Sequence, residues 1–104
     1  MGAAKVARRR AELHEVEGKG AEADWNEALQ HLDRITSNNP RSARAFYNKA
    51  CYRQIRRKSA TPDPDALRDL ETALELQPEL GPRAAGDPDF AGIKDTPEFK
   101  SLLR

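Results

Sequence analysis

Between Trp25 and Ile35 the apolar residues Trp25, Ala28, Leu29, Leu32 and Ile35 recur at i, i+3, i+4, i+7 and i+10. That spacing places them on one stripe of an amphipathic helix. After Pro64 the same pattern returns with Ala66, Leu67, Leu70, Ala73 and Leu74. Between the two, the segment from about Ser42 to Arg57 carries Ala43, Phe46, Tyr47, Ala50, Cys51 and Ile55 on one broad face, which predicts a third helix. Upstream, over 3–16, Val6, Ala7, Ala11, Leu13 and Val16 form a weaker stripe interrupted by Arg8, Arg9 and Arg10. No segment alternates apolar and polar residues with period two, so the chain is expected to be all-α.

Proline and glycine divide these stripes at Gly18/Gly20, Pro40, Pro62/Pro64, Pro78/Gly81/Pro82, Gly86/Pro88 and Pro97. At Asp63–Pro64 the acid can accept from the free N–H groups of a helix start. Proline then occupies the first helical position, where its missing donor costs little. Asp87–Pro88 before Phe90 and Ile93, and Thr96–Pro97 before Phe99, Leu102 and Leu103, repeat this signal in the last quarter. Helices that short are marginal alone, so their Phe and Leu side chains are expected to pack on the preceding helices.

At 104 residues, with 38% apolar and 34% charged residues and a mean hydropathy of -0.86, the chain fits one small domain with a thin core. A large substrate cavity is not expected. Cys51 is the single cysteine, which excludes an internal disulfide and a cysteine-rich zinc site. The sequence holds no apolar run of membrane-spanning length and no secretory h-region after Met1, so a soluble cytoplasmic protein is expected.

The formal charge is only +1 but is unevenly spread. From Arg41 to Lys58 the bases Arg41, Arg44, Lys49, Arg53, Arg56, Arg57 and Lys58 occur without an acid. From Asp63 to Glu79 the acids Asp63, Asp65, Asp69, Glu71, Glu75 and Glu79 face only Arg68. Two arms of a helical hairpin would match these charges against each other; a basic binding face is the alternative.

The residues do not assemble into a recognisable catalytic set. His14 and His31 lack ligand neighbours at metal spacing, and Cys51 has no adjacent base. Gly18–Lys19–Gly20 is too short for a phosphate loop, and the loop of Asp87 and Asp89 lacks the remaining ligands of a calcium site. A non-enzyme without cofactor or metal is the expectation.

An internal repeat is visible. Ala28–Leu29, Leu32, Ile35 and Pro40 match Ala66–Leu67, Leu70, Ala73 and Pro78 at a period of 38 residues. With Phe46 and Ala50 ahead of the second set, this resembles the tetratricopeptide repeat, a helix pair of about 34 residues, with an insertion in Lys58–Pro64. The run from Asn48–Lys49–Ala50–Cys51 through Asp69 to Pro78, then Asp87–Pro88–Asp89–Phe90 and Pro97–Glu98–Phe99, is similar to the form that ends bacterial arrays of this family. The resemblance implies a short α-solenoid in one domain, 1–104. Residues 3–40 would form a divergent first pair, 41–79 the second, and 80–104 capping turns that cover the exposed apolar end. Lys49 and Arg53 stand where the family has a large apolar residue and an aromatic. Either their stems pack while their heads reach water or Asp69, or the helix is rotated so that Tyr52 takes the aromatic role.

The resemblance also implies a non-catalytic adaptor or regulatory subunit whose groove is lined by one helix of each pair. By position these are Lys5, Arg8, Arg9 and Glu12 from the first pair and Arg44, Tyr47, Asn48 and Gln54 from the second. The partner-binding set is then Arg8, Arg44, Tyr47, Asn48 and Gln54. The implied ligand is an acidic peptide or partner helix, part of a larger enzyme or regulatory complex or of a second copy of the chain. The alternative is a nucleic-acid-associated protein using the basic 41–58 helix.

Overall fold

The computed structural model of the chain describes residues 22–57 and 61–103. The described residues are all-α, with no strand among them: α1 (Glu22–Asn38), α2 (Ala43–Arg57), α3 (Pro64–Leu76), α4 (Leu80–Gly86), a 3-10 turn at Pro88–Phe90, and α5 (Pro97–Leu102). The expected 3–16 helix and the Lys58–Ala60 part of the turn lie outside the described residues.

The three longer helices follow from the periodic stripes. On α1, Trp25, Ala28, Leu29 and Leu32 are buried and Ile35 packs against the same core. On α3 the buried positions are Ala66, Asp69, Leu70 and Ala73. Helix α2 lies centrally, in contact with α1, with α3 and with the 3-10 turn. Its burial therefore runs round most of the helix: Ala45, Lys49, Tyr52 and Gln54 are buried together with Ala43, Tyr47, Ala50 and Cys51. Ala28, Ala45, Ala50, Ala73 and Ala84 have no exposed surface, and their small side chains let the neighbouring backbones approach.

All three proline-flanked starts form as the local chemistry dictates. Asp63 Oδ1 accepts from the N–H of Asp65 at 2.9 Å and of Ala66 at 3.4 Å. Asp87 Oδ1 accepts from the N–H of Asp89 at 2.9 Å, and Thr96 Oγ1 from that of Phe99 at 3.4 Å. Each satisfies a donor that the first helical turn leaves without an intrahelical partner. Helix α4 was not expected, because Gly81 and Pro82 signal a break. Both fall in its first turn, where proline's lack of an N–H removes no helical hydrogen bond.

The C-terminal segment closes the core. Phe90, Ile93 and Phe99 are about 1% exposed. The Phe90 ring meets Tyr47 edge-on at 5.9 Å between centroids and Phe99 at 5.4 Å. Leu102 and Leu103 pack on the rim of this cluster. At the other end of α2, Trp25 and Tyr52 pack with their centroids 6.1 Å apart.

Candidate functional site

Helix α2 presents three chemically different sides. The first carries Lys49 and Arg53 toward two carboxylates, Asp33 of α1 and Asp69 of α3. Lys49 Nζ lies 2.9 Å from Asp33 Oδ1 and 3.7 Å from Asp69 Oδ1. Arg53 Nε donates to Asp69 Oδ2 at 2.9 Å, with its Nη2 4.0 Å from Asp33. The Lys49 ammonium also sits 5.4 Å above the Phe46 ring, where the face of the ring attracts a cation. Burial pushes the Asp69 carboxyl above its ordinary value, outweighing the opposite pull of Lys49 and Arg53. The cationic heads of Lys49 and Arg53 thus reach Asp69 and Asp33, and Tyr52 packs on Trp25.

The second side faces the C-terminal segment. Tyr47 Oη donates to Asp87 Oδ2 at 2.6 Å, and Cys51 Sγ donates to the same oxygen at 3.9 Å. The Arg83 guanidinium lies 5.3 Å above the Tyr47 ring. Burial first, then the hydrogen bond to Asp87, push the Tyr47 phenol far above its ordinary value and hold it protonated. Cys51, Asp87 and Asp89 offer donor atoms that lie within 4.8 Å of one another. Asp87 is committed on both oxygens, however: one caps the 3-10 turn and the other accepts from Tyr47 and Cys51. A metal would have to displace those donors.

The third side is open. Arg44 is exposed and Asn48, one turn further on, is partly so; residues four apart share a helix face. Arg44 has no ion-pair partner among the described residues, whereas Lys49 and Arg53 of the same helix have two each. Arg56 reaches across to Asn26 of α1 at 2.8 Å.

The partner-binding residues expected from the sequence are thus only partly brought together. Arg44 and Asn48 share the open side. Tyr47 is 2% exposed, with its hydroxyl engaged by Asp87. Gln54 is 4% exposed and serves the α2–α3 turn: its Nε2 donates to the Thr61 carbonyl at 3.2 Å and its Oε1 accepts from the Asp63 N–H at 2.8 Å. Neither is available to line a groove in this arrangement. Lys5, Arg8, Arg9 and Glu12 lie outside the described residues.

A concave feature not anticipated from the sequence runs between α3, the start of α4 and the end of α5. It is about 240 Å³ and is lined by Glu71, Leu74, Glu75, Pro78, Gly81, Leu102 and Leu103. The signal was present in the spacing of Glu71 and Glu75, one turn apart. The closing wall, however, comes from Leu102 and Leu103, which only the tertiary fold delivers.

No helix among the described residues is long and apolar enough to cross a membrane. No protein-family model, curated protein or solved structure matches the chain.

Proposed function

We propose that the protein is a non-catalytic interaction module of tetratricopeptide-like design, and that it holds an acidic segment of a partner protein on the open side of α2 through Arg44 and Asn48. The observation that carries this reading is the uneven matching of charge along α2. Lys49 and Arg53 are each satisfied by Asp33 and Asp69, whereas Arg44 projects outward with no ion pair among the described residues. Asp69, the acid of α3 that meets α2, is therefore already matched without Arg44. A guanidinium fork beside an amide suits a carboxylate, which accepts from both.

The helical-repeat character of the reading is supported by the succession of helices packed around one continuous core and by the short C-terminal elements whose Phe90, Ile93 and Phe99 join it. Cytoplasmic residence in a bacterium, and docking on a larger enzyme or regulatory complex, belong to the same reading.

The test is a pull-down from native lysate, identification of the bound chain and titration of its acidic segment with variants. Arg44→Ala and Asn48→Ala should each weaken binding about ten- to hundred-fold, the loss of one charge-assisted hydrogen bond. The melting temperature of Arg44→Ala should stay at the wild-type value. Unchanged affinity in both variants overturns the assignment.

A further inference from the structure

We propose a second docking site, independent of the Arg44 side: the groove between α3 and α5 takes a basic amphipathic segment of another protein. An aliphatic side chain of that segment enters between Leu74, Leu102 and Leu103, and two of its cationic groups pair with Glu71 and Glu75.

The groove has two parts with different chemistry. Its floor and far wall are aliphatic, from Leu74 on α3 and from Leu102 and Leu103 at the chain's end, and its volume of about 240 Å³ has room for a large apolar side chain. Its only charged lining residues are Glu71 and Glu75. Both are exposed, and neither has an ion-pair partner among the described residues. Arg68, three residues before Glu71 and placed to pair with it, instead lies 3.5 Å from Asp65. The basic helix α2 cannot serve them either. With 3.6 residues per turn, Glu71 and Glu75 stand roughly 200° and 240° round α3 from Asp69, the one acid of α3 that meets α2.

An apolar slot edged by two unmatched carboxylates selects its occupant by charge. It repels nucleic acid, anionic membrane surfaces and acidic peptides, and it attracts Lys and Arg, whose stems can lie along leucine while their heads reach a carboxylate. Glu71 and Glu75 are one helical turn apart, about 5–6 Å between Cβ atoms. Two bases one turn apart on a partner helix match that separation. The site and the open side of α2 have opposite polarity, so one molecule can bridge a basic and an acidic partner.

The experiment uses the full chain and three fluorescein-labelled synthetic helical peptides of equal length. One carries leucine at i, i+3, i+4 and lysine pairs at i, i+4. The second has glutamate for lysine, and the third has serine for leucine. Binding is followed by anisotropy and by NMR of the leucine methyl groups. The leucine–lysine peptide should bind and shift the methyl signals of Leu74, Leu102 and Leu103. The other two peptides should bind at least about tenfold more weakly. Glu71→Lys/Glu75→Lys should lower the affinity of the first peptide by at least about tenfold. Glu71→Gln/Glu75→Gln, which adds no repulsion, should lower it less but in the same direction, and added salt should weaken the wild-type complex. Arg44→Ala should bind this peptide as the wild type does.

Equal binding by wild type and both double variants overturns the proposal, as do methyl shifts confined to residues elsewhere. So does self-association of the wild type that Glu71→Lys/Glu75→Lys abolishes, since the groove would then be filled by a second copy.

Discussion

Helix α2 is held on two sides by different physics. Toward α1 and α3 an ionic cluster crosses the apolar contact: two cations and two carboxylates in which Lys49 and Arg53 each reach both Asp33 and Asp69. Toward the C-terminal segment it is aromatic, with Tyr47, Phe90 and Phe99 in sequence and a single carboxylate, Asp87, serving the 3-10 turn, the phenol and the thiol. The ionic side is redundant, because each charge keeps a partner if one is removed. It is also expensive to desolvate, as the raised Asp69 carboxyl records. The aromatic side has no spare parts: no second acceptor for the Tyr47 hydroxyl is present among the described residues. The ionic side therefore tolerates the loss of one member, whereas the aromatic side depends on a single carboxylate.

That contrast can be broken most directly at Phe99. With the side chain about 1% exposed, Phe99→Ala should cost about 3–5 kcal/mol in urea unfolding. A loss below about 1 kcal/mol would show that the cap is only loosely applied. A paired measurement then ranks the two sides. Asp87→Ala removes the cap and orphans the buried phenol, and should cost about 1.5–3 kcal/mol. Lys49→Met keeps an apolar stem and leaves Asp69 paired with Arg53, and should cost under about 1 kcal/mol. The reverse order would mean that the ionic side is the tighter one.

The smallest effect is one of pH. The folded-state pKa of Tyr47 lies above its ordinary value of 10.0, so the folded protein holds that proton more firmly than the unfolded chain. Its contribution is complete below about pH 10 and is lost as the pH rises beyond it. Urea midpoints measured from about pH 8 to pH 11 should fall more steeply for the wild type than for Tyr47→Phe. Parallel slopes would show that the phenol is not held as described.

Much of this architecture could be read from the sequence because the information is local. The cap-and-proline pairs at Asp63, Asp87 and Thr96 act on N–H groups within three residues, so two or three letters specify them. The stripes of α1 and α3 also survive, because each helix buries one side. Helix α2 was harder. A helix packed against three neighbouring elements has a broad, weak periodicity, so no spacing rule says that Tyr47 turns toward Asp87 and Gln54 toward the Thr61–Asp63 turn. The acids of α3 show the same limit. Asp69, Glu71 and Glu75 look equivalent as part of an acidic run, yet rotation about the helix axis sends Asp69 to the ionic join and the two glutamates to the opposite groove.

Cys51 gives the aromatic side a clock. It is the chain's single thiol, 3% exposed, with its sulfur aimed at the Asp87 carboxylate that starts the 3-10 turn. A bulky thiol reagent can reach it only when that turn lifts away from α2. Its rate of modification under native conditions therefore times the opening of the C-terminal segment rather than global unfolding. Dependence of that rate on denaturant distinguishes a small, local opening from one that takes α4 and α5 with it.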